Sequence, residues 1–89
     1  MNLNSEQLKE IEIHAGNLLS LDDIAIILEQ DKNQLKSEFS KKGEVYKAYM
    51  KGYLLRKSLL NKAAIDQALS GSSPALQQVL KIIDNLPVL

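Results

Sequence analysis

Apolar positions in this chain recur at helical spacing, and short polar breaks divide them into five segments. Leu8, Ile11, Ala15 and Leu18 mark the first. Asn4 or Ser5 can cap it, with Gln7 in the capping-box place three residues after Asn4, and Gly16 is a stop, which predicts a helix over about 5–16. Ser20 opens the second, with Asp22 and Asp23 facing the positive end of the helix dipole and the run Ile24-Ala25-Ile26-Ile27-Leu28 behind them. Glu29-Gln30-Asp31 ends it. Asp31 then caps a third helix, with Gln34 at its third position and Leu35 and Phe39 four apart on the inner face, and Lys41-Lys42-Gly43 closes it. From Glu44 the pattern stays helical to Leu69, a length of roughly 39 Å, with Gly52 as a place where the helix bends. Ser70-Gly71-Ser72-Ser73-Pro74 is a break. Ser73 as N-cap and Pro74 at the first helical position start a last helix, to about Asn85.

The expected fold is all-α: an N-terminal three-helix helix-turn-helix bundle over 1–43, then over 44–89 a long helix and a short C-terminal helix forming a hairpin. Two prolines, four glycines and no tryptophan agree with it. The chain has no cysteine, so a disulfide framework and a thiolate metal site are both excluded. No apolar run approaches the roughly 20 residues of a membrane span, and the first residues lack the basic and apolar regions of a signal peptide. A cytoplasmic location is the expectation.

Charge changes the picture. The net charge is zero, but residues 1–31 carry one base and seven acids, net −6, whereas residues 32–62 carry nine bases and two acids, net +7. A ligand meets the local field, so the basic block argues for a polyanionic partner. It begins where a helix-turn-helix would place its recognition helix. Ala25, between Ile24 and Leu28, is the small residue such a motif needs where its helices cross, and Leu35 and Phe39 would anchor the second helix. Glu29 stands where the turn usually has glycine. With Leu35 and Phe39 inward, Asn33, Lys36, Ser37, Ser40 and Lys41 point outward, with Gln34 at the edge. Asn and Gln can read adenine, and Lys can contact guanine or phosphate. The competing reading is a plain three-helix bundle with a solvated third helix.

The basic stretch continues in the long helix, where Lys47, Lys51, Ser58 and Lys62 form one stripe interrupted by Leu55. Lys47 and Lys51 could add phosphate contacts, which raise affinity without reading sequence. Tyr46, Tyr49 and Tyr53 share another face, read as packing with hydroxyls reaching water; base stacking is the sharper alternative. Leu54, Leu55, Leu59, Leu60, Ala63, Ala64, Ile65, Ala68 and Leu69 surround the helix instead of forming one stripe. The last helix adds Leu76, Val79, Leu80, Ile82 and Ile83, with Leu86, Val88 and Leu89 beyond. So small a chain cannot enclose all of this, which predicts self-association through the 53–86 hairpin.

The chain resembles the small subunit of tailed-phage terminases over about residues 8–85. The motif at 20–39 carries part of the likeness. Gly43-Glu44-Val45-Tyr46-Lys47-Ala48-Tyr49-Met50-Lys51-Gly52 is similar to the family's "VYxAYxxG"-like opening of a long helix, and Ala68-Leu69-Ser70-Gly71-Ser72-Ser73-Pro74-Ala75 to its small-residue turn. The resemblance implies a homo-oligomeric, often ring-shaped protein that binds double-stranded DNA, marks phage DNA for packaging and stimulates a large terminase ATPase. It puts Asn33, Gln34, Lys36 and Ser37 on the DNA-contacting helix. The chain departs from the family in its shortness, in showing no evident C-terminal tail for the large subunit or portal, in Glu29 and in its acidic first helix. A degenerate relative or a prophage remnant would show such departures.

No enzyme is expected. The one histidine, His14, has only Glu10 four residues before it, an ordinary helix pair, and there is no glycine-rich phosphate loop. No metal and no cofactor is expected. Two other functions compete with packaging: a small helix-turn-helix transcription regulator, and a helical protein–protein adaptor whose acidic first half and basic middle pair with each other or with a partner. Asp22, Glu29 and Glu38 along the outward face of the third helix would favour the adaptor.

Overall fold

A computed structural model describes residues 1–85. Among them are five helices and no strand: α1 (Ser5–Gly16), α2 (Leu21–Ile27), α3 (Lys32–Ser40), α4 (Glu44–Leu69) and α5 (Ser73–Asp84). The apolar tail expected at Leu86, Val88 and Leu89 lies outside the described residues. Each of the first three helices starts on the cap its sequence offers. Asn4 Oδ1 accepts from the Gln7 N–H at 2.7 Å while Gln7 Oε1 accepts from the Asn4 N–H at 3.0 Å, a complete capping box. Ser20 Oγ accepts from the Asp23 N–H and Asp31 Oδ1 from the Gln34 N–H. At α5 the cap is one residue earlier than expected. Ser72, not Ser73, accepts from the Ala75 N–H, and Pro74 sits in the first turn, where its missing donor costs nothing.

The helices end where the sequence sets their stops, but the left-handed residues at the corners are mostly not glycines. Gly16 is the last residue of α1 and Gly43 follows α3, but neither takes the left-handed turn. Leu18, Glu29 and Lys42 do, with φ of 66°, 55° and 55°. After α2 the Glu29 N–H donates to the Ile26 carbonyl and the Gln30 N–H to the Ala25 carbonyl. This is the paired closure in which the left-handed position is usually glycine. An L-residue there costs roughly 1–2 kcal/mol. Among the described residues only Gly71, after α4, gives such a turn to a glycine.

The chain divides into two compact units, Met1–Arg56 and a second beginning at Lys57. The sequence reading places the division at 43/44, whereas the first half of α4 packs with α1–α3. In the first unit Ile11 and Ala15 of α1, Ile24 and Ala25 of α2, Leu35 of α3 and Val45 of α4 form one buried cluster, flanked by Leu8, Leu21, Leu28, Phe39, Ala48, Tyr49 and Tyr53. Burying an Ile or Leu contributes about 1.5–3 kcal/mol, so these few side chains carry much of the unit's stability. Gly52 has a role other than bending. It is buried against α1, where an added Cβ would overlap the Glu12 carbonyl oxygen and lie 2.8 Å from its carbon. Only glycine lets the two backbones approach this closely. Two side chains secure the same crossing. Arg56 Nε donates to the Gly16 carbonyl at 2.7 Å, and the Tyr49 hydroxyl donates to the Leu19 carbonyl at 3.0 Å. The Tyr49 hydroxyl thus meets backbone, not the water expected for it.

In the second unit Ala64 of α4 and Ala75 of α5 are buried, with Ala68, Val79 and Ile82 half-buried. Leu59, Leu60, Ile65 and Leu69 of α4, and Leu76, Leu80 and Ile83 of α5, remain exposed, Leu69 at 82%. On α5 the inner stripe is Ala75, Val79 and Ile82. Leu76, Leu80 and Ile83 form a parallel stripe one residue on, with the same spacing.

Candidate nucleic-acid interface

The α2–α3 pair has the form of a helix-turn-helix. Ala25 is 1% exposed where the two helices meet, and Leu35 is wholly buried beneath α3. Phe39 packs against Tyr46 and Tyr49 of α4, with ring centroids at 5.1 and 5.5 Å, the second pair edge to face. Tyr46 and Tyr49 therefore anchor α3 from behind, which is a packing role. With Leu35 and Phe39 fixed inward, helical geometry turns Asn33, Gln34, Ser37 and Ser40 outward and sets Lys36 at the edge of that face, and all are exposed, as are Lys32 at the helix start and Lys41 at the C-cap. Asn33, Gln34 and Ser37 form a polar row whose side chains make no hydrogen bond among the described residues. Ser40 donates its hydroxyl to the Lys36 carbonyl at 2.9 Å, so that donor is engaged within α3.

The lysines are less free than their number suggests. Lys36 Nζ lies 2.9 Å from Asp22 Oδ1 on α2. Lys41 Nζ lies 3.1 Å from Glu38 Oε1, and Lys51 Nζ lies 3.6 Å from Glu12 Oε1, which Lys9 also approaches through Oε2. Of the four lysines read as DNA contacts, only Lys47 has no carboxylate partner among the described residues. Contact with Lys36 holds the Asp22 carboxyl below its ordinary value; desolvation opposes this, and the charges of Lys36 and Lys32 assist it. Contact with Lys9 does the same for Glu12, and contact with Lys41 for Glu38. The Tyr49 hydroxyl is pushed up, by burial first and then by Tyr53. The Lys36–Asp22 approach is short, yet Asp22 Oδ1 is closed off from solvent without a well-aligned hydrogen bond. The geometry makes the pair a charge contact more than a directed bond.

Of the acids whose position on this face would favour an adaptor, Asp22 and Glu38 lie against it, and Glu29 makes no ion pair among the described residues. Glu10 and His14 form no ion pair either, contrary to the helix pair their spacing suggests. The sequence sets Asp22 at the dipole of α2 and among the acids that could line the α3 face, without naming the lysine it meets. Its distance from Lys36 in the sequence carries no local signal, and only the crossing of α2 and α3 brings the two together. No helix among the described residues is long and apolar enough to cross a membrane. No protein-family model, curated protein or solved structure matches the chain.

Proposed function

We propose that this chain is a non-catalytic, self-associating protein that docks α3 on double-stranded DNA. The observation that supports this best is the two-sidedness of α3. Leu35 and Phe39 are fixed inward against α1, α2 and α4, and Asn33, Gln34, Lys36 and Ser37 stand exposed on the outward side of the helix. Those side chains have the donors and acceptors to read base edges, and Lys36, Lys41 and Lys47 are the proposed phosphate contacts. Asn33→Ala with Gln34→Ala should relax discrimination between duplex sequences, and Lys47→Gln should weaken all duplexes alike and lower the salt slope by about one. Equal losses from both changes on every sequence would refute a reading helix.

Self-association is proposed through the second unit, where the Leu76, Leu80 and Ile83 stripe and the exposed leucines of α4 lack cover within the unit. Sedimentation at about 50 µM should give an assembly, and Leu76→Asp with Leu80→Asp should dissolve it. A monomer in the unsubstituted protein would contradict the proposal. Within this reading the resemblance to terminase small subunits makes phage DNA the target and a large terminase ATPase the partner. Stimulation of such an ATPase by this chain is the corresponding test. The adaptor reading is favoured by one set of observations, the pairing of Lys36, Lys41 and Lys51 with carboxylates of the same chain. It predicts a folded protein that binds no duplex.

A further inference from the structure

We propose that Asp22 is a built-in competitor for the phosphate that Lys36 would contact, so that this one carboxylate sets the affinity of the α3 face for DNA. The inference rests on the DNA reading above and adds a determinant on α2. Three features carry it. Lys36 lies at the edge of the outward face on the side that adjoins α2, three residues after Asn33 and four before Ser40, and its side chain is 52% exposed, so a phosphate can reach it. Its ammonium is already held 2.9 Å from Asp22 Oδ1, and it cannot give full charge to a phosphate without leaving that oxygen. The oxygen is shut off from water yet lacks an aligned hydrogen bond, so the pair gains less than an optimally oriented one. A phosphate, with several strong acceptor oxygens, can displace such a partner. The exchange still costs the ion pair and leaves Asp22 facing the DNA.

The glutamate pairs do not act in the same way. Glu38 and Lys41 are three residues apart on one helix, and Glu12 meets Lys51 at the α1–α4 crossing, away from the outward row of α3. Asp22 alone ties the row to a neighbouring helix of the motif.

Duplex binding by fluorescence anisotropy, with a labelled random-sequence duplex at several salt concentrations, tests this with four proteins: the unsubstituted chain, Asp22→Asn, Asp23→Asn and Lys36→Gln with Asp22→Asn. Asp23 is the control, because it sits on the same turn of α2, loses the same charge and has no lysine partner among the described residues. Asp22→Asn should tighten binding about five- to tenfold and steepen the salt dependence by about one unit of slope, as expected for one freed phosphate contact. Asp23→Asn should change affinity by less than about twofold. With Lys36→Gln present, the gain from Asp22→Asn should shrink to that of Asp23→Asn. Binding by Asp22→Asn alone, with none by the unsubstituted chain, would also support the competitor role. If the unsubstituted chain binds and Asp22→Asn gains no more than Asp23→Asn, the inference is overturned and the DNA reading stands. If no variant binds while far-ultraviolet circular dichroism shows all folded, both are overturned.

Discussion

Alanine at Gly52 should destabilise the protein even though it improves a helix. In the interior of α4 the exchange removes the backbone-entropy penalty of glycine, a gain of about 1 kcal/mol. Against this, the new methyl would overlap the Glu12 carbonyl oxygen and lie 2.8 Å from the carbonyl carbon, where carbon contacts normally begin near about 3.5 Å. Backbone stands on both sides, so no rotamer change relieves the overlap and α1 and α4 must move apart by roughly 1 Å. Overpacking of this kind costs about 1–3 kcal/mol, and separation also loosens the Arg56 bond to the Gly16 carbonyl, worth about 1 kcal/mol. The net expectation is a loss of about 2 kcal/mol, or a fall in Tm of about 10 °C for a domain of this size. Gly16→Ala is the internal comparison. A Cβ there would meet the Gly52 carbonyl oxygen at 3.4 Å, an ordinary contact, so this variant should be neutral or up to about 1 kcal/mol more stable. Thermal unfolding followed by circular dichroism measures both. A Gly52→Ala protein that melts as high as Gly16→Ala would refute the close crossing.

Other expectations can be checked on the same protein. Glu29→Gly should stabilise by about 1 kcal/mol in urea unfolding, because it relieves the left-handed turn between α2 and α3; a loss of stability would contradict the strain assigned to φ 55°. Tyr49→Phe should cost about 1 kcal/mol by leaving the Leu19 carbonyl without its donor, and no change would mean that water replaces the hydroxyl fully. The carboxyls of Glu12, Asp22 and Glu38 lie below their ordinary values in the folded chain, so their ion pairs contribute fully above the ordinary carboxylate range and lose effect as pH falls through the lower folded values. Tm should therefore hold steady from neutral pH to about pH 5 and drop below about pH 4, and a rise on acidification would contradict those pairs.

Local signals foretold most of the architecture because helices are begun locally. Asn4, Ser20 and Asp31 cap the helices their positions predict, and the span of α4 agrees at both ends. The backbone conformation at the stops is less legible than their positions. Their positions agree, but the left-handed residues at the corners are Leu18, Glu29 and Lys42, and periodicity carries no signal for a non-glycine residue at positive φ. Gly52 was visible as an anomaly within a long helix. Its cause is the α1 backbone, which lies forty residues earlier and leaves no trace in periodicity. The candidate interface divides in the same way. Periodicity about Leu35 and Phe39 correctly set which α3 residues face outward. It could not show that Asp22 meets Lys36 or that Glu12 meets Lys51, because charge pairing across helices depends on their crossing.

The central claim, that the outward face of α3 binds DNA, is tested most directly by titrating a labelled duplex with the intact chain at two salt concentrations. The account predicts micromolar binding at low salt that weakens steeply as salt rises, with a further loss of more than tenfold in Lys36→Glu at unchanged helicity. A folded chain that leaves the duplex free at low salt, or that binds equally well with Lys36→Glu, would contradict it.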